Sequence, residues 1–319
     1  MKIVFLDAKT IGDDINLSSF EKLGEIVKYD FSTPEQIPDR VKDADVLILN
    51  KVAINHSTIH TAKHLKLVCV TATGTDNLDK EYLEKNHIAW RNVAGYSTNS
   101  VAQHTFAMLF YLLEKLNYYD GYVKGGHYVN DRIFTHFEEK FSEIEGKTWG
   151  IIGLGNIGRR VAQIAECFGA NVIYYSPSGS PAQKGYHQVD FDTVLTQSDI
   201  LSVHAPLTDK TKNLMNKSAF AKMKSSAIFL NLGRGAIVVE SDLAYALENQ
   251  LIAAAGLDVL CTEPMEAENP LLQIEDSRKL LITPHIAWAS IEARERLFNE
   301  VVENIKAFYN GKDRNRVDK

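Results

Sequence analysis

The sequence has little cysteine and no excess of positive charge. Its three cysteines, Cys69, Cys167 and Cys261, are far apart and form no CxxC pair. A disulfide framework and a structural zinc site are therefore both unsupported, and a reducing compartment is expected. Lys and Arg number 35 against 41 Asp and Glu, giving a formal net charge of −6. A mildly acidic chain without a basic cluster is a poor binder of polyanions, so we expect no nucleic-acid partner.

Long apolar runs are also missing. The N-terminal run MKIVFLDAKT is too short for a signal peptide, and Asp7 interrupts it. The longest apolar stretch, residues 101–113, contains Gln103, His104 and Thr105 and is too short to span a bilayer. These features predict a soluble, cytoplasmic protein without a membrane partner.

What the sequence has is a regular alternation of short β-branched runs and helical patterns. The length of 319 residues suggests about two domains, and 45% hydrophobic with 24% charged residues is a globular composition. Alternating strands and helices predict β-α-β units and parallel sheets. The first series of predicted strands is 2–8, 25–30, 45–50, 66–72 and 88–93, and the second is 148–153, 171–176, 200–205, 227–233, 253–259 and 280–285.

Two helical patterns stand apart from these series. Residues 101–116 carry apolar side chains near helical spacing and predict a largely buried helix. No strand follows His285, and residues 290–308 form one long amphipathic pattern. Because too little chain remains for another domain, we expect this last helix to pack on the first α/β unit.

A glycine-rich turn opens the second series. Gly153-Leu154-Gly155-Asn156-Ile157-Gly158 is a GxGxxG motif that follows an apolar strand and begins a helix, as a dinucleotide-binding fingerprint requires. The first glycine permits a tight turn, the second lets backbone N–H groups approach a pyrophosphate, and the third permits close packing of helix on strand. The alternative is a glycine-rich turn that binds nothing.

The residue that selects between NAD and NADP is unusual. The fingerprint expects an acid at the end of the next strand to bind the ribose hydroxyls, and this position holds Ser176. Serine does not repel a 2′-phosphate, but no arginine follows to bind one, and Lys184 is the nearest cation in sequence. We expect NAD as the cofactor, with NADP or dual use left open.

Titratable residues follow three of the later strands, where ligands of parallel sheets bind. They are Arg234, Glu263 and His285, and Asp258 ends its own strand. Reduction of a carbonyl needs a cation at the oxygen, which arginine supplies, and a proton donor, which a histidine beside a carboxylate supplies. Each of these residues also has a non-catalytic interpretation: Arg234 as a turn residue, Glu263 as a solvated loop residue and His285 as a capping histidine.

Two further histidines compete for the role of proton donor. His104 lies within the apolar helix and is expected in the core. His204 lies at a strand end before Pro206 and is a candidate for cofactor contact, but no acid is near it in sequence. His285 is preferred because the fold gathers it with Arg234 and Glu263.

Six motifs together resemble the D-isomer-specific 2-hydroxyacid dehydrogenases, and the resemblance covers essentially the whole chain. Within this family the sequence is most similar to the glycerate dehydrogenase or hydroxypyruvate reductase branch, through ATGTDN and Trp288 of HIAWAS. The motifs are VCVTATGTDNLD (68–79), GLGNIG (153–158), HAPLTDKTKNLMN (204–216), NLGRGAIV (231–238), AGLDVLCTEP (255–264) and PHIAWAS (284–290).

The resemblance implies roles for particular residues. Arg234 holds the substrate carboxylate and carbonyl, His285 donates the proton, Glu263 supports His285, and backbone N–H groups of Thr73 and Gly74 meet the carboxylate. Asp258 faces the nicotinamide amide, and no metal is implied. Candidates for cofactor binding are Gly153, Gly155, Asn156, Ile157, Gly158, Ser176, His204, Pro206 and Asp258. Gln103 stands where the family often has glutamate, and nothing in the sequence explains this difference.

The resemblance also implies an architecture. A Rossmann cofactor domain, residues 99–289, is inserted into a flavodoxin-like substrate domain made of residues 1–98 and 290–319. Family members are typically homodimers paired through the cofactor domains. The helix at 101–116 is a candidate for that interface and equally for the core of its own chain.

The expected function is hydride transfer between a nicotinamide cofactor and a small D-2-hydroxy acid or 2-oxo acid, with glycerate/hydroxypyruvate or glyoxylate as the leading substrates. One alternative is a nicotinamide-sensing binding protein on the same fold, from which an extended peptide-binding segment would be expected; only nine residues follow Asn310. Another is a formate or phosphite dehydrogenase. The sequence does not identify the acid or the direction of the reaction.

Overall fold

The computed structural model describes residues 1–14 and 16–317. The chain divides into two compact units, one made of Met1–Ser97 with Ala289–Lys319 and one made of Thr98–Trp288. The second unit is continuous in sequence and is inserted into the first. Among the described residues, none of the helices combines the length and apolarity that crossing a bilayer requires.

The first unit contains a five-stranded parallel sheet with the order β2-β1-β3-β4-β5. This order is that of flavodoxin-like folds. β3 and β4 are buried along their whole length, as their uninterrupted apolar runs VLIL and LVCV predict. The strands are Lys2–Phe5 (β1), Glu25–Lys28 (β2), Val46–Leu49 (β3), Leu67–Val70 (β4) and Ala89–Arg91 (β5), and the helices before the insertion are Ser18–Glu21 (α1), Ile37–Arg40 (α2), His56–Ile59 (α3) and Lys80–Lys85 (α4).

The second unit contains a seven-stranded parallel sheet with six helices. The strands are Thr148–Ile152 (β6), Asn171–Tyr175 (β7), His187–Gln188 (β8), Ile200–Val203 (β9), Ile228–Asn231 (β10), Ala254–Leu257 (β11) and Leu280–Ile282 (β12). The helices are Thr98–Leu113 (α5), Leu116–Lys124 (α6), Asn156–Cys167 (α7), Phe191–Gln197 (α8), Lys217–Lys222 (α9) and Glu240–Glu248 (α10). Short 3₁₀ turns occur at Ala8–Ile11 in the first unit and at Tyr128–Asn130, Gly235–Ile237 and Pro270–Gln273 in the second.

The strand order of this second sheet is β12-β11-β10-β9-β6-β7-β8. From β6 the chain adds strands toward one edge of the sheet (β7 and β8), and from β9 it adds strands toward the other (β10, β11 and β12). This is the Rossmann arrangement, with its switch point between β6 and β9. The predicted α/β class, with two parallel doubly wound sheets, is therefore confirmed. All eleven predicted strands form; β8 was not predicted because its two residues carry no apolar run.

The predicted helix at 101–116 forms as α5, which ends at Leu113 before Lys115 adopts a left-handed conformation. Its apolar residues Val101, Phe106, Leu109 and Leu112 are buried in the core of the second unit, with side chains of β6, β10 and α7. The structure thus assigns this apolar face to the core of its own unit.

The last helix, Ile291–Tyr309 (α11), belongs to the first unit. The Ser290 hydroxyl caps it by accepting a hydrogen bond from the Ala293 N–H at 3.3 Å. Phe298 packs with its ring centroid 6.3 Å from that of Phe5 and 6.0 Å from that of Phe20. The amphipathic pattern after residue 290 therefore buries its apolar face against the first sheet.

Candidate active site and cofactor groove

The predicted site residues of the second unit lie along one edge of its sheet. Because all seven strands are parallel, their carboxyl ends meet at that edge. The residues follow the strands in spatial order: His285 after β12, Asp258 after β11, Arg234 after β10, His204 after β9, Gly153 after β6 and Ser176 after β7.

The three glycines of the motif differ in what surrounds them. Gly153 has a φ of +93°, and a Cβ there would lie 2.8 Å from the backbone of Ala205. A Cβ at Gly158 would lie 2.3 Å from the Gly153 carbonyl oxygen, so this glycine is required where α7 packs on the turn. A Cβ at Gly155 would meet no atom within 4 Å. The second glycine is therefore the one that leaves open space, as a cradle for a pyrophosphate requires.

The two residues between the last two glycines begin α7. Asn156 accepts a hydrogen bond on Oδ1 from Nη2 of Arg159 at 2.5 Å. Ile157 is half-buried and packs against the core of the second unit. Their backbone N–H groups open the helix, where an anion is favoured.

A groove of about 610 Å³ runs beside this turn and is lined by Gly153, Gly155, Ser176, His204 and Pro206; we call it the cofactor groove. Both ring nitrogens of His204 are buried without a hydrogen-bond partner among the described residues. Burial lowers the pKa of His204 to about 3, so the ring is neutral at physiological pH. Open space at Gly155 and an unpartnered neutral imidazole both fit a dinucleotide in this groove.

Serines dominate the end of the groove after β7. The hydroxyls of Ser176 and Ser178 lie 3.1 Å apart, and those of Ser178 and Ser180 lie 2.7 Å apart. Lys210 lines the same groove together with Asp209, and also an adjoining cavity of about 750 Å³ that includes Ser176. The sequence did not reveal Lys210 as a cation near Ser176, because it belongs to the loop after β9.

Arg234 is positioned by the turn that follows β10. The Asn231 side chain, which is fully buried, donates to the Arg234 carbonyl at 3.0 Å and accepts from the Gly233 N–H at 3.1 Å. A Cβ at Gly235 would lie 1.9 Å from the carbonyl carbon of Leu260, so the turn is pressed against the loop after β11. The close approach of Leu260 explains why glycine follows the arginine, and Asn231 is a supporting residue that the sequence did not reveal.

His285 and Glu263 form a hydrogen-bonded pair. Nδ1 of His285 lies 2.7 Å from Oε2 of Glu263, and Oε1 of Glu263 accepts from the Leu260 N–H at 2.9 Å. A carboxylate at Nδ1 favours the tautomer with a proton on that nitrogen, which leaves Nε2 as the ring nitrogen outside the pair. Glu240 supports the same loop by accepting from the Cys261 N–H and the Asn269 side chain, each at 2.7 Å, and was also missed in the sequence.

Asp258 is buried beside the turn that contains His285, with 2% of its surface exposed. Its carboxylate accepts from the N–H groups of Ile286 and Ala287 and from the hydroxyl of Thr283. Nε2 of His104 lies 3.0 Å from that hydroxyl. The prediction that His104 is simply a core residue is therefore wrong: its half-buried ring is hydrogen-bonded at the carboxyl end of the sheet.

Thr73 and Gly74 belong to the first unit, where they lie in the bend after β4. The Thr73 carbonyl accepts from the Asn92 side chain at 2.6 Å, and its hydroxyl donates to the Val93 carbonyl at 3.1 Å. The Asn77 side chain donates to the Val52 carbonyl at 2.8 Å. The bend is thus held on both sides by side-chain amides.

The neighbouring position in the first sheet, between β1 and β3, is closed by Asp7. Its carboxylate accepts from the N–H groups of Asn50, Lys51 and Val52 at 2.6 to 3.1 Å. Burial raises the pKa of Asp7 in spite of these bonds. A carboxylate therefore occupies the switch point of this sheet.

No group of three or more His, Cys, Asp or Glu side chains in residues 1–14 and 16–317 has the arrangement of a metal site.

One sheet edge combines a dinucleotide groove, an arginine between glycines and a histidine–glutamate pair. This combination defines the class of protein as a nicotinamide-dependent dehydrogenase.

Comparison with known proteins identifies the family. Residues 106–287 match the family model described as "D-isomer specific 2-hydroxyacid dehydrogenase, NAD binding domain". Glycerate dehydrogenase of Methylorubrum extorquens is 37% identical over 99% of this chain and 99% of its own. Hydroxypyruvate reductase of Blautia hydrogenotrophica is 35% identical over the full length of both. The structure of an acyclic imino acid reductase in complex with NADPH and D-Arg superposes with a TM-score of 0.88 at 30% identity, over 99% of this chain and 100% of that one.

The chain belongs to the D-isomer-specific 2-hydroxyacid dehydrogenase family. It is therefore an enzyme, a nicotinamide-dependent oxidoreductase of hydroxy acids. The predicted family, the nicotinamide cofactor and the similarity to the glycerate dehydrogenase and hydroxypyruvate reductase branch are confirmed.

Proposed function

We propose that this enzyme interconverts a small 2-oxo acid and the corresponding D-2-hydroxy acid, with hydroxypyruvate/glycerate or glyoxylate as its substrate. The proposal rests on the pair of His285 and Glu263, in which Nδ1 and Oε2 lie 2.7 Å apart. His285 follows β12, Glu263 follows β11, and Arg234 follows the neighbouring strand β10. The relatives named glycerate dehydrogenase and hydroxypyruvate reductase, similar over the whole chain, support these acids.

Each residue has a distinct part in this reaction. When bound, the nicotinamide supplies or accepts the hydride. Arg234 binds the carboxylate and the carbonyl oxygen of the acid through its planar guanidinium. Nε2 of His285 gives the proton to the oxygen during reduction, and Glu263 stabilises the imidazolium. The N–H groups of Thr73 and Gly74 bind the substrate carboxylate.

These roles imply a division of labour between the two parts of the chain. Residues 99–289 are proposed as the dinucleotide-binding domain, and residues 1–98 with 290–319 as the substrate domain. The position of the GxGxxG turn and of the cofactor groove, both within Thr98–Trp288, supports this assignment.

The proposal is tested by the loss of reduced-nicotinamide absorbance with hydroxypyruvate, glyoxylate and pyruvate, with formate oxidation assayed in parallel. Turnover of hydroxypyruvate or glyoxylate, with the D-acid as product, is the expected result. Tight dinucleotide binding without turnover of any acid would contradict it and favour a nicotinamide-sensing protein. Turnover of formate alone would show that the protein is a formate dehydrogenase.

The cofactor is proposed to be NAD, with NADP accepted as well. Ser176 carries no charge that would repel a 2′-phosphate, and the row of serine hydroxyls beside Lys210 offers donors to it. Two cations, Lys210 and Arg159, line this groove, but Asp209 adds an acidic side chain to the lining, which argues against strong selection of NADP.

A Ser176→Asp variant is expected to weaken NADPH binding by about ten-fold or more while changing the Kd of NADH by less than about three-fold, because only the 2′-phosphate meets the new charge. The measurement is a fluorescence titration with each reduced dinucleotide. Lys210→Ala, which removes one of the two cations that line the groove, should weaken NADPH binding alone by a smaller factor. An unchanged ratio of the two Kd values in the Ser176→Asp variant would show that this serine does not influence cofactor choice.

A homodimer formed through the cofactor domain is the proposed assembly. The segment after α6 exposes large apolar side chains, with Val129 83%, Phe134 89% and Phe137 76% exposed. Exposed apolar patches of this kind mark interaction surfaces. Since α5 is buried within its own unit, this segment replaces it as the better candidate.

The dimer is expected as a mass of twice 35.8 kDa in sedimentation equilibrium. Replacing Phe134 and Phe137 together with glutamate should yield a monomer that still binds NADH, because neither residue lines the cofactor groove. A monomeric wild-type protein at micromolar concentration would rule the dimer out.

Cytoplasmic location is also proposed. Cys69, Cys167 and Cys261 are all free thiols, and burial raises the pKa of Cys69 to about 12, which makes it inert. Unpaired cysteines are typical of proteins that act in a reducing compartment.

A further inference from the structure

The backbone of His285 adopts a conformation that histidine does not favour. Its φ of +53° lies in the left-handed region, which is costly for a residue with a Cβ. Its N–H donates to the Thr283 carbonyl at 2.9 Å, and the next two N–H groups, of Ile286 and Ala287, donate to Asp258 at 2.9 and 3.0 Å. The buried carboxylate therefore holds the turn that presents the histidine.

The proton positions around Thr283 follow from counting donors. Its Oγ1 lies 2.6 Å from Oδ1 of Asp258 and 3.0 Å from Nε2 of His104. The Thr283 hydroxyl donates to Oδ1 of Asp258, and a threonine hydroxyl has only one proton to donate. The same oxygen then has to accept from His104, which places a proton on Nε2 of that ring. The result is a directed chain from His104 through Thr283 to Asp258.

His104 reaches this chain from a different element. It lies on α5, whereas Thr283 follows β12, and α5 packs against β10, β11 and β12. Its Nε2 is 3.7 Å from Oδ1 of Asp258, beyond a normal hydrogen bond, so the hydroxyl is the link between them. The following residue on the helix, Thr105, instead donates its hydroxyl to the Val101 carbonyl, one helical turn earlier.

We propose that His104 and Thr283 are positioning residues which, through Asp258, keep the His285 ring in place on Glu263. This inference rests on the proposed function, in which His285 is the proton donor. Neither residue is required to touch the substrate. Removal of either link lets the turn relax from its left-handed conformation, which moves Nδ1 of His285 away from the carboxylate that holds it.

Kinetics provide the first test. Thr283→Val keeps the shape and removes the hydroxyl; it should lower kcat by about ten-fold with less than about a two-fold change in the KM of the acid, since Arg234 is untouched. His104→Phe should lower kcat by a smaller factor. His104→Gln should keep kcat near the wild-type value, because its amide can still donate to the Thr283 hydroxyl oxygen. Thr105→Val is the matched control, a buried threonine on the same helix, and should match the wild-type protein.

A second readout does not depend on turnover. NMR of the holoenzyme with ¹⁵N-labelled histidine rings should show His104 protonated on Nε2, assigned by its absence in His104→Gln, and should show altered His285 ring shifts in Thr283→Val but not in Thr105→Val. Protonation of His104 on Nδ1 only, or a Thr283→Val enzyme with wild-type kcat and unchanged His285 shifts, would overturn the inference. If no acid is turned over, the proposed function fails, while these spectra still decide the inference.

Discussion

Replacing His285 with asparagine is expected to lower kcat for reduction of the 2-oxo acid by about 10³-fold, the scale of a lost general acid. Asparagine tolerates the left-handed backbone that His285 adopts, so the turn is retained and only the acid is lost. The Kd of NADH should change by less than about two-fold, because the variant leaves the cofactor groove intact. Single-turnover absorbance of the reduced cofactor measures the effect without interference from product release.

Glu263→Gln gives the graded comparison for this experiment. It preserves a hydrogen bond to Nδ1 at 2.7 Å but removes the charge that stabilises the imidazolium. A loss of about ten- to a hundred-fold in kcat is expected, smaller than that of the histidine variant. If the His285→Asn enzyme kept a tenth or more of the wild-type kcat, another group would have to be the proton donor.

Arg234→Lys is expected to lower kcat/KM for the 2-oxo acid by about 10²- to 10³-fold, although the positive charge is kept. The planar guanidinium can bind the carboxylate and the carbonyl oxygen together, whereas an ammonium group acts as a single point charge. The backbone cannot shift to compensate, because Asn231 fixes the turn and Gly235 is pressed against Leu260.

The measurement for Arg234 is a full kinetic profile with saturating cofactor, and both kcat and KM should deteriorate. Arg160→Lys, at an exposed position on α7, is the matched control and should behave as the wild-type protein. An Arg234→Lys enzyme with normal kcat/KM would mean that the guanidinium geometry is not used for the substrate.

Much of this arrangement is predictable from the sequence because parallel sheets impose it. Apolar runs identify the strands, and a residue just after a strand must lie at the carboxyl edge. The sequence alone therefore places Arg234, Asp258 and His285 on one edge of the sheet. The GxGxxG turn likewise predicted which glycine is packed and which is open.

What the sequence could not show are contacts between segments that no local pattern relates. His104 looked like a core residue because the periodicity of a helix reports which face is buried but not which polar group lies opposite. Asn231 and Glu240 were missed because each fixes a loop through side-chain hydrogen bonds, which leave no periodic signal in the sequence. Lys210 was missed because it approaches Ser176 only once β9 and β7 are assembled.

The insertion of one unit within the other has a consequence for synthesis of the chain. The five strands of the first sheet leave the ribosome early, but α11, whose Phe298 packs against Phe5 and Phe20, follows only after the whole of Thr98–Trp288. At a translation rate of about 5–20 residues per second, those residues take roughly 10–40 s to make. At the end of that interval the inserted unit has every strand of its sheet, whereas the first sheet still lacks α11 and has part of its apolar surface uncovered.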